Sequence, residues 1–252
     1  MPRLPDLPPR LRRLVAPAIS SIWEWTCRTG ATGSGDRLSE RFGAFGSGSC
    51  IAFPPGTVFG ERWIHIGAGT MVGPYVTLSA GMVPGQAMLT DPVLRIGDRC
   101  RIGRGSHLVA HFSVDIGDDV HTGPYVYITD QNHGYEDPST PIGLQWPHDD
   151  GVHIGSGTWL GTGAIILPGA CIGDQVVVAA GSVVLGEVPD RCVVAGVPAR
   201  IVRRYTQDDG WVRTTVPAQR EHGPNLDNRG EVGAQPAQVA PLGPTLDHHN
   251  AV

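Results

Sequence analysis

Aromatic residues make up only 6% of this 252-residue chain and charged residues only 17%. The scarcity of rings excludes a core built on large flat side chains, so the interior must be filled by small and branched aliphatic residues. A formal charge of −5 at pH 7 argues against nucleic acid as the main partner, since phosphate binding needs a concentrated cationic surface. Cys27, Cys50, Cys100, Cys171 and Cys192 are odd in number and lack paired spacing. That excludes a disulfide framework and a cysteine zinc site, and the five read as reduced thiols of a cytoplasmic protein. What the chain does have is 35 glycines and 22 prolines, which call for turns at short intervals.

Residues 1–50 read as an N-terminal extension. MPRLPDLPPRLRR followed by LVAPAISSIWEWT is too short and too polar to span a membrane and lacks a small-residue cleavage pattern. A short amphipathic helix docked on the main body is expected here. Arg10, Arg12 and Arg13 beside Trp23 and Trp25 leave a weak contact with a membrane surface as the alternative.

A period of six organises the middle of the chain. Aliphatic residues, most of them followed by glycine, recur at Ile66, Val72 and Leu78, at Ile96, Ile102 and Leu108, and at Ile116 and Ile128 with Thr122 between. The longest run is Ile154, Leu160, Ile166, Ile172, Val178 and Val184. Two residues before most of them stands a small or β-branched side chain, such as Thr70, Cys100, Ser106, Val126, Ala164 or Ser182. This period fits neither a helical stripe nor the alternation of an ordinary strand. It fits a solenoid in which each hexad supplies one short strand and one corner, and three hexads close a coil. Stacked coils would then pair as parallel strands about 4.8 Å apart.

The expected fold is therefore all-β, a left-handed parallel β-helix over residues 51–189. Interruptions between Leu78 and Ile96 and over 134–152 read as loops expelled from the solenoid, and a two-residue slip at Val114 and Asp115 reads as a bulge or corner adjustment. Residues 190–206 are expected to cap the last coil. Residues 207–252, poor in large apolar side chains and ending near His248 and His249, are expected to form a flexible tail.

The run GSGTWLGTGAIILPGACIGDQVVVAAGSVV, followed by EVPDRCVVAGVPARIVRRY, resembles the sugar O-acetyltransferase branch of the hexapeptide-repeat acyltransferases, which includes galactoside and maltose acetyltransferases. The resemblance extends roughly from Ile64 to Tyr205. It implies a homotrimer, acetyl-CoA as co-substrate with no metal, and a sugar or polysaccharide acceptor. It also implies a general-base histidine at the root of the expelled loop, and in ITDQNHGYEDPSTP that residue is His133. Its place agrees with the chemistry, because a neutral imidazole can take a hydroxyl proton near neutral pH.

His111 is expected about one coil away as an acceptor contact, and Asp115 could orient an imidazole or bind a hydroxyl. The resemblance places coenzyme A along the late coils at Thr162 and Ala180, with Arg200 and Arg203 toward its phosphates. Leu185 and Gly186 stand where relatives often have a threonine–lysine pair. His65, His107 and His121 fall where side chains face solvent, and Tyr135, Trp146 and His148 could line an acceptor site. The resemblance implies direct transfer in a ternary complex, with a late-coil backbone N–H stabilising the oxyanion. The alternatives are a zinc-dependent hydratase of the γ-carbonic anhydrase type, suggested by His107 and His111, and a noncatalytic solenoid scaffold.

Overall fold

The computed structural model describes residues 8–214. A 22-residue helix, α1 (Pro9–Gly30), precedes a left-handed β-helix whose strands, mostly two to four residues long, line up in three sheets of seven, six and ten strands. Within the coils the pairing is parallel and keeps the hexad phase. Leu108 sits over Leu78 and under Ile128, and Ile166 follows over Ile128. The phase-bearing aliphatics from Ile66 to Val184 are at most 3% exposed, so the repeat defines the core. The small residues two positions earlier are buried beside them: Thr70, Val76, Cys100, Ser106, Val120, Val126, Ala164 and Ser182.

One corner carries a ladder of side chains that explains the recurring Gly-Asp and Gly-Ser pairs. The backbone N–H of Ala68 donates to Asp98, that of Asp98 to Asp118, that of Asp118 to Ser156, that of Ser156 to Asp174 and that of Asp174 to Asp190. Corner N–H groups have no strand partner, so each is met by a side chain from the next coil. Glycine precedes Asp98, Asp118, Ser156 and Asp174, where close approach requires it, and Pro189 precedes Asp190. A Cβ at Gly97 would lie 2.4 Å from the Asp118 carboxylate oxygen, and one at Gly155 would lie 2.4 Å from the Gly173 backbone.

The ladder also measures the insertions. Its steps span 18 residues in the regular late coil, 16 at the last step from Asp174 to Asp190, 20 from Asp98 to Asp118, 30 from Ala68 to Asp98 and 38 from Asp118 to Ser156. Extra residues beyond 18 must leave the prism, and they do so at the corners near 82–92, 111–113 and 131–149.

Two expectations are corrected. Helix α1 is not docked: it contains no buried residue and approaches the body at Gly30, whose Cα faces the Phe53 ring. The last coil is closed by an antiparallel meander of Cys192–Gly196, Ala199–Thr206 and Gly210–Arg213. Its final strand lies in the stretch expected to be a tail, where Trp211 packs edge-on against Tyr205 with ring centroids 5.7 Å apart. His248 and His249 lie outside the described residues.

Candidate active site

The two-residue slip falls at the corner 111–113. Val114 and Asp115 stand in register with Leu94 and Arg95 on one side and with Val152 and His153 on the other. The extra corner residues lie between two strands and have no strand partner, and the wholly buried carboxylate of Asp130 meets their N–H groups instead. It accepts the backbone N–H groups of His111 at 2.9 Å, Phe112 at 2.8 Å and Ser113 at 2.6 Å. This fixes the backbone from which the His111 side chain projects.

His111 lies where the two expelled loops meet. The Met82 N–H donates to Gln86 Oε1 at 2.9 Å, which fixes that amide and turns its NH₂ toward His111 Nε2 at 2.7 Å. His111 Nε2 is then the acceptor, and Nδ1 carries the proton that it donates to Asp149 at 2.7 Å. Gln131 Nε2 donates to the same carboxylate at 2.9 Å. A half-buried imidazole whose tautomer is set by a carboxylate is the arrangement an acid–base histidine needs.

His133 follows the strand Gln131–Asn132, which pairs antiparallel with His148–Asp149 and so closes the root of the larger loop. Its side chain is exposed. A Cβ at the next residue, Gly134, would lie 2.4 Å from the Trp146 carbonyl oxygen, so the returning loop crosses directly over this step. Within the loop, the Asp137 carboxylate accepts the Ser139 and Thr140 hydroxyls, and these bonds hold it below the usual carboxylate range. The Glu136 carboxyl is lowered as well, by its own backbone N–H and then by His148 at 3.2 Å. Tyr135 and Trp146 are left with their rings in solvent, Trp146 at 90% exposure.

The remaining expected residues are dispersed. Asp115 lies on a neighbouring face, where it pairs with Arg95 at 2.8 Å and His153 at 3.3 Å and has no bond to His111 or His133 among the described residues. His107 and His121 are exposed, and His65 pairs with Asp91 at 3.4 Å. Thr162 and Ala180 are exposed at one corner in successive coils. The Gly181 N–H donates to the Thr162 carbonyl at 2.9 Å, and a Cβ at Gly161 would lie 2.5 Å from the Ala180 nitrogen. Arg200 and Arg203 are exposed on the strand Ala199–Thr206, and neither has an acidic partner among the described residues. No cluster of three His, Cys, Asp or Glu able to hold a metal occurs among the described residues.

Sequence reasoning missed Gln86, Asp130, Gln131 and Asp149. Asp130 alone left a signal: it stands two residues after Ile128, where the stacked coils carry the buried Ala80 and Ala110. A carboxylate in that column has to meet a special backbone requirement.

Residues 151–186 match the model of the bacterial transferase hexapeptide family (six repeats), and residues 93–129 match the hexapeptide repeat of succinyl-transferase. WbbJ of Escherichia coli K12, named for O-acetyl transfer in lipopolysaccharide biosynthesis, is 37% identical over 46% of this chain and 63% of its own length. Galactoside O-acetyltransferase of the same organism is 32% identical over 45% of this chain and 58% of its own. The chain thus spans less than two thirds of either relative. A mutant of the N-acyltransferase AntD from Bacillus cereus, solved with dTDP and coenzyme A, superposes with a TM-score of 0.57 at 18% identity, over 69% of this chain and 90% of its own. The chain carries hexapeptide repeats and is similar over part of its length to acyltransferases that include sugar O-acetyltransferases.

Proposed function

We propose that this protein transfers an acyl group, most simply acetyl, from coenzyme A to a hydroxyl of a sugar or polysaccharide, with His133 as general base. The observation that carries the reading is an exposed imidazole at the closed root of the loop, within a hexapeptide coil related to O-acetyltransferases. His133 would accept the proton of the acceptor hydroxyl as that oxygen forms its bond to the acyl carbon. The carbon–sulfur bond breaks in the same transfer, and the sulfur leaves as the thiolate. Neither a metal nor an acyl-enzyme is part of this reading.

The chain's own residues fit a coenzyme. Thr162 and Ala180 form a corner of small side chains that admits an extended ligand close to the backbone, and the guanidinium groups of Arg200 and Arg203, without acidic partners among the described residues, suit phosphate oxygens. A late-coil backbone N–H at that corner would stabilise negative charge on the acyl oxygen. The exposed rings of Tyr135 and Trp146 suit the apolar face of a sugar. A cyclic homotrimer, in which a neighbouring subunit completes this groove, and a cytoplasmic location belong to the same reading.

A second reading makes His111 the base. The observation favouring it is the bond from Nδ1 to Asp149, which His133 lacks among the described residues. In that reading Gln86 must release Nε2 before a hydroxyl can reach it. Screening acyl-coenzyme A donors against a panel of glycans, with release of free thiol as readout, tests the function. Acceptor-dependent release is expected, and none from any pair would refute it. Repeating the productive pair with H133A and H111A separates the two bases.

A further inference from the structure

Helix α1 is the largest part of the described chain left without a protein partner. Leu11, Leu14, Val15, Ala18, Ile22 and Trp25 follow one another at helical spacing and form a single apolar stripe. A stripe of this kind ordinarily faces a core. Here Leu14 is 75% exposed, Ile22 63% and Trp25 64%. At about 1.5 Å per residue the helix is roughly 33 Å long, yet no helix among the described residues is long and apolar enough to cross a membrane. An apolar stripe of that length needs a surface rather than a pocket.

Charge selects the surface. Between Pro9 and Gly30 stand Arg10, Arg12, Arg13 and Arg28 against the single acid Glu24, within a chain whose formal charge is −5. The helix therefore carries an excess of positive charge, and the rest of the chain is more acidic than the total. Arg10 and Arg28 lie on one flank of the stripe and Arg12 on the other, where their stems can cover apolar surface while the guanidinium groups reach outward. Trp23 and Trp25 supply rings suited to the boundary between headgroups and acyl chains.

We infer that α1 is a peripheral membrane helix that lies in the plane of an anionic phospholipid surface and holds the β-helix beside it. This goes beyond the proposed acyl transfer and does not depend on it. The partner is a lipid surface bearing net negative charge, recognised by the apolar stripe and the four arginines together.

Co-sedimentation of the full chain with vesicles tests this directly. Binding is expected on phosphatidylglycerol–phosphatidylcholine vesicles, at least about tenfold weaker binding on pure phosphatidylcholine, and partial release at high salt. Substituting Arg10, Arg12 and Arg13 together by serine should weaken partitioning on the order of a hundredfold. L14S/I22S should abolish it while leaving the β-sheet circular dichroism unchanged. No pelleting with anionic vesicles would overturn the inference, as would equal pelleting of the arginine variant. If L14S/I22S instead lowers the molar mass in sedimentation equilibrium and the unaltered chain ignores vesicles, the stripe joins copies of this chain and the inference fails.

Discussion

The coils from Ile154 to Val184 and the coil from Ile116 to Ile154 are built from the same hexads but spend their residues differently. In the late coils the ladder steps span 18 and then 16 residues, every phase position is buried, and nothing leaves the prism. In the middle coil the same contact spans 38 residues, and the excess forms a loop tied back through Asp149, Gln131 and Asp130. The regular coils supply rigidity without a distinguishing side chain. The irregular one borrows that rigidity to bring the Asp149 carboxylate back against the His111 imidazole. The proposed chemistry sits where the repeat fails, because there a side chain can depart from the inward–outward alternation.

Substitutions in the two regions should therefore separate activity from stability. The largest effect is expected for His133→Ala, which should lower turnover by about two to four orders of magnitude with little change in melting temperature. Asp130→Ala comes next: it strands three corner N–H groups and should cost on the order of 3–5 kcal/mol in denaturant unfolding. It should also lower turnover, because the His111 backbone loses its support. Ile166→Ala, wholly inside the regular coil, should cost about 3 kcal/mol while leaving turnover per folded molecule nearly intact.

A subtler contrast concerns thiols. Burial pushes the Cys100 thiol upward and keeps it protonated, whereas Cys171 is exposed on a regular strand. A thiol reagent should modify Cys171 in the native protein and Cys100 only on unfolding, as peptide mapping would reveal. The smallest effect is expected for Arg95→Ala. Its pair with Asp115 lies on an open face, so stability should change by less than about 1 kcal/mol. A larger loss of turnover there than for His111→Ala would show that the wrong corner has been identified.

The coil was legible in the sequence because a six-residue phase through Ile154, Leu160 and Ile166 leaves a side chain no choice of face. The root of the loop was legible at His133 for a related reason: it is the last position before the phase stops. The dyad of His111 and Asp149 was not. Its members stand 38 residues apart and meet only because the returning strand His148–Asp149 pairs with Gln131–Asn132. Nothing in a periodic pattern encodes where an expelled loop returns. The undocked helix was misread for a similar reason, since the stripe through Leu14 and Ile22 specifies an apolar partner but not which one.

The acyl-transfer account rests on a base that is separable from the fold. The most direct test is thiol release from acetyl-CoA in the presence of a productive glycan, measured for H133A alongside its melting temperature. The account predicts a melting temperature within a few degrees of the unaltered protein and turnover lower by about a hundredfold or more. Near-normal turnover in a folded H133A would contradict it and transfer the role to His111.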